Sequence, residues 1–162
     1  GKDKVTLLPV RDDYAEHIIR DRINIIDWVN LAGGNLYDIS KLEERIVAGL
    51  GKGIAIVVLQ KGKGAESGRG GQFAVDYTQV EFLLDPLGQY ETRLTVGYVK
   101  ESTKRISGRC FGFGIKDGVK IINWREIEKC RVCGTTGFKG GKMCDDCTGF
   151  GYRDKVLDTP TY

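Results

Sequence analysis

The chain has 162 residues, 41% of them hydrophobic and 29% charged, and 25 Lys and Arg against 22 Asp and Glu leave a net charge of +3. These proportions fit one soluble globular domain able to bury a core of its own, and they make disordered and fibrous classes unexpected. The longest apolar run, Ile54 to Leu59, is far short of the roughly 18 residues of a membrane helix, and no apolar stretch near Lys2 resembles a signal peptide, so a cytoplasmic protein without a membrane partner is expected.

Val5 to Val10 is predicted as a first strand, and the polar segment Arg11 to Arg20 as helix-capable, with Asp12 or Asp13 as N-cap. Ile23-Asn24-Ile25-Ile26-Asp27-Trp28-Val29-Asn30 has the β-branched content of a buried parallel strand and carries one carboxylate, Asp27, in its C-terminal half. From Asp38 to Leu50, the apolar residues Ile39, Leu42, Ile46 and Leu50 recur at steps of three and four, which predicts an amphipathic helix ended by Gly51 and Gly53. Ile54 to Leu59 reads as a second apolar strand, ending in Gln60 and Lys61. Strand, helix and strand with short connections imply a crossover in a parallel sheet. The Gly-rich stretch Gly62 to Gly71, with Lys63 and Arg69, has no periodicity and leaves the carboxyl end of that second strand, the edge at which open parallel sheets bind ligands.

Further along, Val80 to Asp85 is strand-like, Pro86-Leu87-Gly88 reads as a turn, and Arg93 to Lys100 alternates like a half-buried strand. Between residues 93 and 109, Arg93, Lys100, Lys104, Arg105 and Arg109 face a single acid, Glu101. That patch adds salt-dependent phosphate affinity if it converges with Lys61, Lys63 and Arg69. Cys110 to Ile115 and Val119 to Trp124 are predicted to pair across Lys116-Asp117-Gly118, whose Asp-Gly is a hairpin signal. His17, the one histidine, has no nucleophile and acid beside it in any recognisable triad, which argues against hydrolase chemistry.

From about Glu128 the sequence changes character. Cys130-Arg131-Val132-Cys133 and Cys144-Asp145-Asp146-Cys147 are two C-x2-C knuckles, and four thiolates so spaced can close a tetrahedral, structural zinc site with no open position. Gly134, Gly137, Gly149 and Gly151 follow the knuckles and allow tight turns around sulfur. Phe138, Phe150 and Tyr152, beside Lys139, Lys142 and Arg153, could stack bases and neutralise phosphates, although Asp145 and Asp146 in the same module count against a purely electrostatic role; a metal pin for a tail without a core, or a protein-docking surface, are the other readings. Cys110 has no partner at metal spacing and is expected to be a buried structural thiol. Over residues 130–151 the paired knuckles resemble half of the cysteine-rich zinc region of DnaJ-type chaperones, with Thr135 standing where that pattern has glycine; the resemblance bears on the metal more than on chaperone activity.

The order of Asp27 after one apolar strand, Gln60 after the next, and a Gly-rich basic loop behind it resembles the second half of a RecA-like ATPase core. That fold is shared by RecA-type recombinases and DnaB-type replicative helicases, and the likeness is greatest to the RecA-fold ATPases of phages. Ile23 to Asp27 is similar to a Walker B strand, whose Asp orients the water shell of Mg²⁺. Val57 to Lys61 is similar to the next motif, in which a Gln senses the γ-phosphate and couples it to DNA. Gly68-Arg69-Gly70-Gly71-Gln72-Phe73 sits where the family has its DNA-contacting loop. Tyr98-Val99-Lys100, with Lys104 and Arg105, is similar to the strand and basic turn that reach a neighbouring subunit's nucleotide.

The resemblance spans residues 5–127. It implies catalytic roles for Asp27, Gln60, Lys100 and Lys104, single-stranded DNA contacts for Lys61, Lys63, Arg69, Gly70 and Gly71, and a homo-oligomer. No G-x-x-x-x-G-K-[S/T] occurs, since Gly49-Leu50-Gly51-Lys52-Gly53 lacks the spacing and the hydroxyl residue. The chain alone is therefore expected not to hydrolyse ATP, with Mg²⁺ and ATP entering only beside a P-loop-containing half; a fragment of a longer ATPase is the favoured expectation over a stand-alone descendant. The expected fold is α/β: part of a RecA-like, mostly parallel sheet with helices over residues 1–127, including a β-hairpin, then a zinc module at 128–155 and a tail at 156–162. The alternative is a stand-alone zinc-binding nucleic-acid regulator, because the knuckle followed by Gly151-Tyr152-Arg153 also resembles the zinc motif of some phage antitermination proteins. A chaperone-like or protein-docking domain is a third class.

Overall fold

The strand, helix and strand read from the sequence are present in order: Ile23–Ile26 (β1), Asp38–Leu50 (α1) and Ile54–Val57 (β2), with β1 and β2 paired in parallel from Ile23↔Ile54 to Ile26↔Val57. The computed structural model describes residues 5–29, 38–62, 65, 67, 68 and 71–156. The chain divides into two units between Thr78 and Gln79.

In the first unit, α1 buries Ile39 and Ile46 almost completely, the apolar stripe that its periodicity demands. The helix stops at Gly51, whose φ of +61° suits glycine and whose added Cβ would lie 2.4 Å from Asp21 Oδ1. Asp21 Oδ1 instead accepts from Lys52 N at 2.7 Å, and Asp21 N donates to Leu50 O at 2.9 Å, so the end of α1 is tied to the chain entering β1. Pairing continues beyond the ladder, with Val58 N donating to Ile26 O and Val29 N to Val58 O, both at 3.0 Å.

Three expectations fail in this unit. Val5 to Val10 forms no strand, and Val5 and Leu7 are exposed; among the described residues it has no neighbouring strand, and an unpaired run has no ladder to hold it. Arg11 to Arg20 contains only a 3-10 turn, Tyr14–His17. There the Asn24 side chain competes with helix bonding, accepting from Ile19 N at 2.8 Å and donating to Ile19 O at 3.0 Å. Finally, the strand at 23–30 ends at Ile26 and is not buried: Ile23 is 69% exposed and Ile25 67%. After β2 a second 3-10 helix, Gly71–Val75, packs against α1 with Ala74 buried.

The second unit overturns the mostly parallel sheet. Val80–Leu87 (β3), Glu91–Val99 (β4), Cys110–Lys116 (β5), Lys120–Lys129 (β6) and Tyr152–Asp154 (β9) form one antiparallel sheet in the order β3-β4-β5-β6-β9; Phe138–Lys139 (β7) and Lys142–Met143 (β8) form a small separate ladder. Among the described residues, β1–β2 is the one parallel pairing. The connections dictate this: Gly88 to Tyr90 and Asp117 to Val119 are tight turns, and no crossover helix joins β4 to β5. The Asp117-Gly118 hairpin is as expected, with both residues at positive φ. The turn expected at Pro86-Leu87-Gly88 comes later, since β3 runs through Leu87.

Nor does the sheet end at residue 127. β6 continues to Lys129 and pairs with β9 at Ile127↔Asp154, Glu128↔Arg153 and Lys129↔Tyr152, so the cysteine-bearing segment is an excursion between two strands of the same sheet. The core of this unit is Leu87, Cys110 and Ile127 under Tyr152, which gives Cys110 the buried role expected for it. On the same face Arg93 pairs with Asp85 at 2.8 Å and lies 4.5 Å over the Tyr152 ring. Beside it Arg125 forks onto Glu91 at 2.7 and 2.8 Å and reaches Asp154 at 2.6 Å. The opposite face carries Phe111 and Phe113, both stacked on Trp124.

Candidate metal centre

β6 delivers Cys130, whose N–H is held by Gly151 O at 3.0 Å, and the chain then turns back as Gly134 N donates to Cys130 O at 2.9 Å. The second knuckle repeats the first of these bonds, with Cys144 N donating to Gly137 O at 2.8 Å, and each knuckle's second cysteine accepts from the residue three further on, Thr136 N to Cys133 O at 3.3 Å and Phe150 N to Cys147 O at 2.9 Å. Two glycines let the knuckles close on each other. A Cβ on Gly137 would lie 2.2 Å from Gly149 O, and one on Gly151 would lie 2.2 Å from Thr135 O. Gly137 and Gly151 each stand four residues after their knuckle's second cysteine, and Gly149 and Thr135 two after it, so the contacts are equivalent. The centre has local twofold symmetry.

All four sulfurs lie within 4.8 Å of one another, with Cys130 Sγ 3.8 Å from Cys144 Sγ and Cys133 Sγ 3.6 Å from Cys147 Sγ. A tetrahedron of Zn–S bonds of 2.3 Å has edges of about 3.8 Å. A disulfide would need about 2.05 Å, and none is formed. Gly151 N donates to Cys147 Sγ at 3.2 Å, an N–H···S bond that stabilises a thiolate. Burial works to raise the Cys133 thiol, but the N–H groups of Thr135 and Gly137 and the neighbouring thiols outweigh it and bring it down to about 6. Burial pushes Cys130 up to about 12, its thiol donating to Asp146 Oδ2 at 3.1 Å, and raises Cys147 as well. Four soft sulfurs at tetrahedral spacing, with no open position, can hold a metal ion such as zinc.

The remaining expected site residues fall in both units. Asp27 follows β1 directly and is exposed, joined to Trp28 by a cis peptide bond. Gln60, also exposed, follows β2 by three residues, so the two lie beyond the carboxyl ends of paired parallel strands. Lys61 is half-buried, and Gly71 opens its 3-10 helix at φ +57°. Lys63, Arg69 and Gly70 lie outside the described residues. Lys100 and Lys104 are exposed on the β4–β5 connection of the second unit. The basic patch there is smaller than the sequence implies, because Arg93 is held by Asp85 and Arg109 by Glu126 at 3.0 and 2.7 Å.

Two features escaped the sequence reading. The Arg125 network joins residues far apart in the chain, which no local pattern signals. Glu43, on the apolar side of α1, is buried, with Oε2 accepting no hydrogen bond among the described residues; burial first, and then the charge of Asp76, push its carboxyl up to about 7. Its position four residues after Ile39 and three before Ile46 was the available signal.

No protein-family model, no curated protein and no solved structure matches the chain. The described residues contain no helix long and apolar enough to cross a membrane. What the geometry defines is a mixed α/β protein, mostly antiparallel in its sheet, with four clustered cysteines that can hold a metal ion.

Proposed function

We propose that the chain is the nucleotide-sensing and DNA-contacting part of a RecA-like, DNA-dependent ATPase of helicase or recombinase type, such as phages encode, with zinc held by its four cysteines in a structural role. The observation supporting this is the emergence of Asp27 and Gln60 beyond the carboxyl ends of hydrogen-bonded parallel strands, with the glycine-rich basic loop following Gln60. That edge is where open parallel sheets receive ligands. Mg²⁺ and ATP bring the phosphoryl chemistry. From this chain, the Asp27 carboxylate contributes to the metal's water shell and the Gln60 amide contacts the terminal phosphate. Lys61, Lys63 and Arg69, with the close backbone approach allowed by Gly70 and Gly71, meet single-stranded DNA. Lys100 and Lys104 neutralise phosphate held by a neighbouring subunit, which requires a ring or filament. Because the chain contains no G-x-x-x-x-G-K-[S/T], its residues do not complete a phosphate cradle, and hydrolysis needs a P-loop from outside these 162 residues.

The reading frame upstream of Lys2 provides the test. An in-frame P-loop is expected there, and in the protein so encoded Asp27→Ala abolishes DNA-stimulated ATP hydrolysis. A start codon directly before Lys2, or an unchanged rate in the variant, overturns the proposal.

A second reading, a zinc-containing nucleic-acid regulator without ATPase chemistry, is favoured by the fact that the antiparallel sheet and cysteine cluster share one unit. Joint replacement of Cys130 and Cys144 separates the two readings. DNA affinity at the Lys61 loop survives in the first, and all DNA binding is lost in the second.

A further inference from the structure

Of the aromatic and cationic residues around the cysteines, several have other tasks. Phe150 covers the β3–β4 turn, where a Cβ on Gly88 would lie 2.2 Å from its ring. Tyr152 lies under Arg93 in the core. Arg153 is held by Glu128 at 2.7 Å and Asp146 at 3.6 Å. The β7–β8 hairpin is different. Phe138 and Met143 are opposite each other in its ladder and are 58% and 61% exposed, and the next pair is Lys139↔Lys142. Both lysines are exposed and make no ion pair among the described residues, and no acid occurs between Thr136 and Met143. Gly140 and Gly141 close the tip at positive φ. The mount is firm: Cys144 N is bonded to Gly137 O at 2.8 Å, and Phe138 N to Thr136 Oγ1 at 3.2 Å.

We propose that this hairpin is a contact site for single-stranded nucleic acid, with a base stacked on Phe138 beside Met143 and backbone phosphates met by Lys139 and Lys142. An exposed ring flanked by unpaired cations is the combination that binds single strands without reading sequence. One apolar pair is far smaller than the roughly 800 Å² per partner of a stable protein interface, yet one ring is enough for one base. The two lysines, neither in an ion pair among the described residues although Asp145 and Asp146 follow in sequence, also favour a polyanion. The proposal is independent of the ATPase reading, which places DNA at residues 61–71 in the other unit.

The test uses the full zinc-loaded chain and a fluorescent oligodeoxythymidine of about 20 nucleotides, longer than the site of a typical single-strand-binding fold, followed by anisotropy across a salt series. Phe138→Ala is expected to weaken binding about tenfold, and Phe138→Trp to restore it. Lys139→Gln together with Lys142→Gln should flatten the slope of log affinity against log salt by about 1.4, the value for two single-strand phosphate contacts. Zinc content unchanged from the parent shows that each variant keeps its fold. In an oligonucleotide carrying 5-iodouracil, photocrosslinks are expected at Phe138. Unchanged affinity and slope, crosslinks confined to residues 60–71, or no binding of the oligonucleotide overturn the proposal. So does a Phe138→Ala variant that loses only its affinity for a carboxymethylated, permanently unfolded polypeptide, which would assign the hairpin to protein ligands.

Discussion

The two units reach order by opposite means. Before Thr78, the sequence is rich in β-branched strand residues, yet among the described residues only Val29, Ile39, Ile46 and Ala74 are buried hydrophobics, and Ile23, Ile25, Ile54 and Ile56 are largely exposed. After Gln79, the strands are more polar, but Asp85–Arg93 ties β3 to β4, Glu91–Arg125–Asp154 reaches across β5 from β4 to β6 and on to β9, Arg109 and Lys155 hold Glu126 of β6, and four cysteines close the excursion between β6 and β9. Apolar sequence therefore does not by itself yield a buried face; partners on both sides of a parallel pair are needed for that. A polar antiparallel sheet can be fixed through charges paired along one face.

The contrast can be broken most severely at the cysteines. Structural zinc in small modules carries apparent binding energies of about 10 kcal/mol or more. Cys144→Ser should abolish metal binding and expose residues 130–151 and β9 to amide exchange, while the exchange of α1 stays unchanged. Mass spectrometry of the intact protein should count one zinc per parent chain.

Next is Glu43, the one buried charge-bearing residue of the first unit among the described residues. Its folded value of about 7 lies above the ordinary 4.5, so the folded state holds the proton more tightly than the unfolded one. Its contribution is complete below about pH 4.5 and is lost as the pH rises to about 7, a decline of up to about 3 kcal/mol. Glu43→Gln should flatten this fall, as melting temperatures at about pH 5 and about pH 8 would reveal.

Arg125→Ala comes third. It strips Glu91 of a forked partner, the main cause of that carboxyl's lowered value, and releases Asp154 as well. Chemical denaturation should register about 2 kcal/mol. The smallest effect is expected at Glu126, whose carboxyl is held down to about 2, first by the hydrogen bond from Arg109 and then by that from Lys155. It stabilises the fold above about pH 4.5 and loses that effect as the pH falls through about 2. Glu126→Gln should shift the acid midpoint upward while costing less than about 1 kcal/mol at neutral pH, as expected of a partly exposed pair.

What the sequence makes legible is whatever is decided locally. The stripe of Ile39, Leu42, Ile46 and Leu50 locates α1 to its end residues, Asp117-Gly118 locates the hairpin, and the two C-x2-C pairs locate the metal centre. What it hides is decided by distant partners. Val5 to Val10 reads as a strand but finds no neighbour among the described residues. β9 is three residues long, too short for any periodicity, and exists because β6 offers it an edge. The parallel β1–β2 pair suggested a parallel sheet throughout, when the tight turns at Gly88 and Gly118 commit the later strands to alternate in direction. At the candidate catalytic positions, strand ends were legible at Asp27 and Gln60, whereas the capture of Arg93 and Arg109 by acids was not.

The β6–β9 pairing has one more consequence. β9 is the last strand of the sheet, and only three register pairs hold it there, next to a Gly151 whose carbonyl and amide are both bound to cysteines. With a metal held by the four cysteines, its supply would govern whether the outer rim of β6 is capped or open. Chains made under zinc starvation would present Ile127 to Lys129 as an unpaired ribbon edge, the kind of template along which proteins stick to one another, so aggregation during metal-poor expression would be the visible symptom of an empty cysteine site.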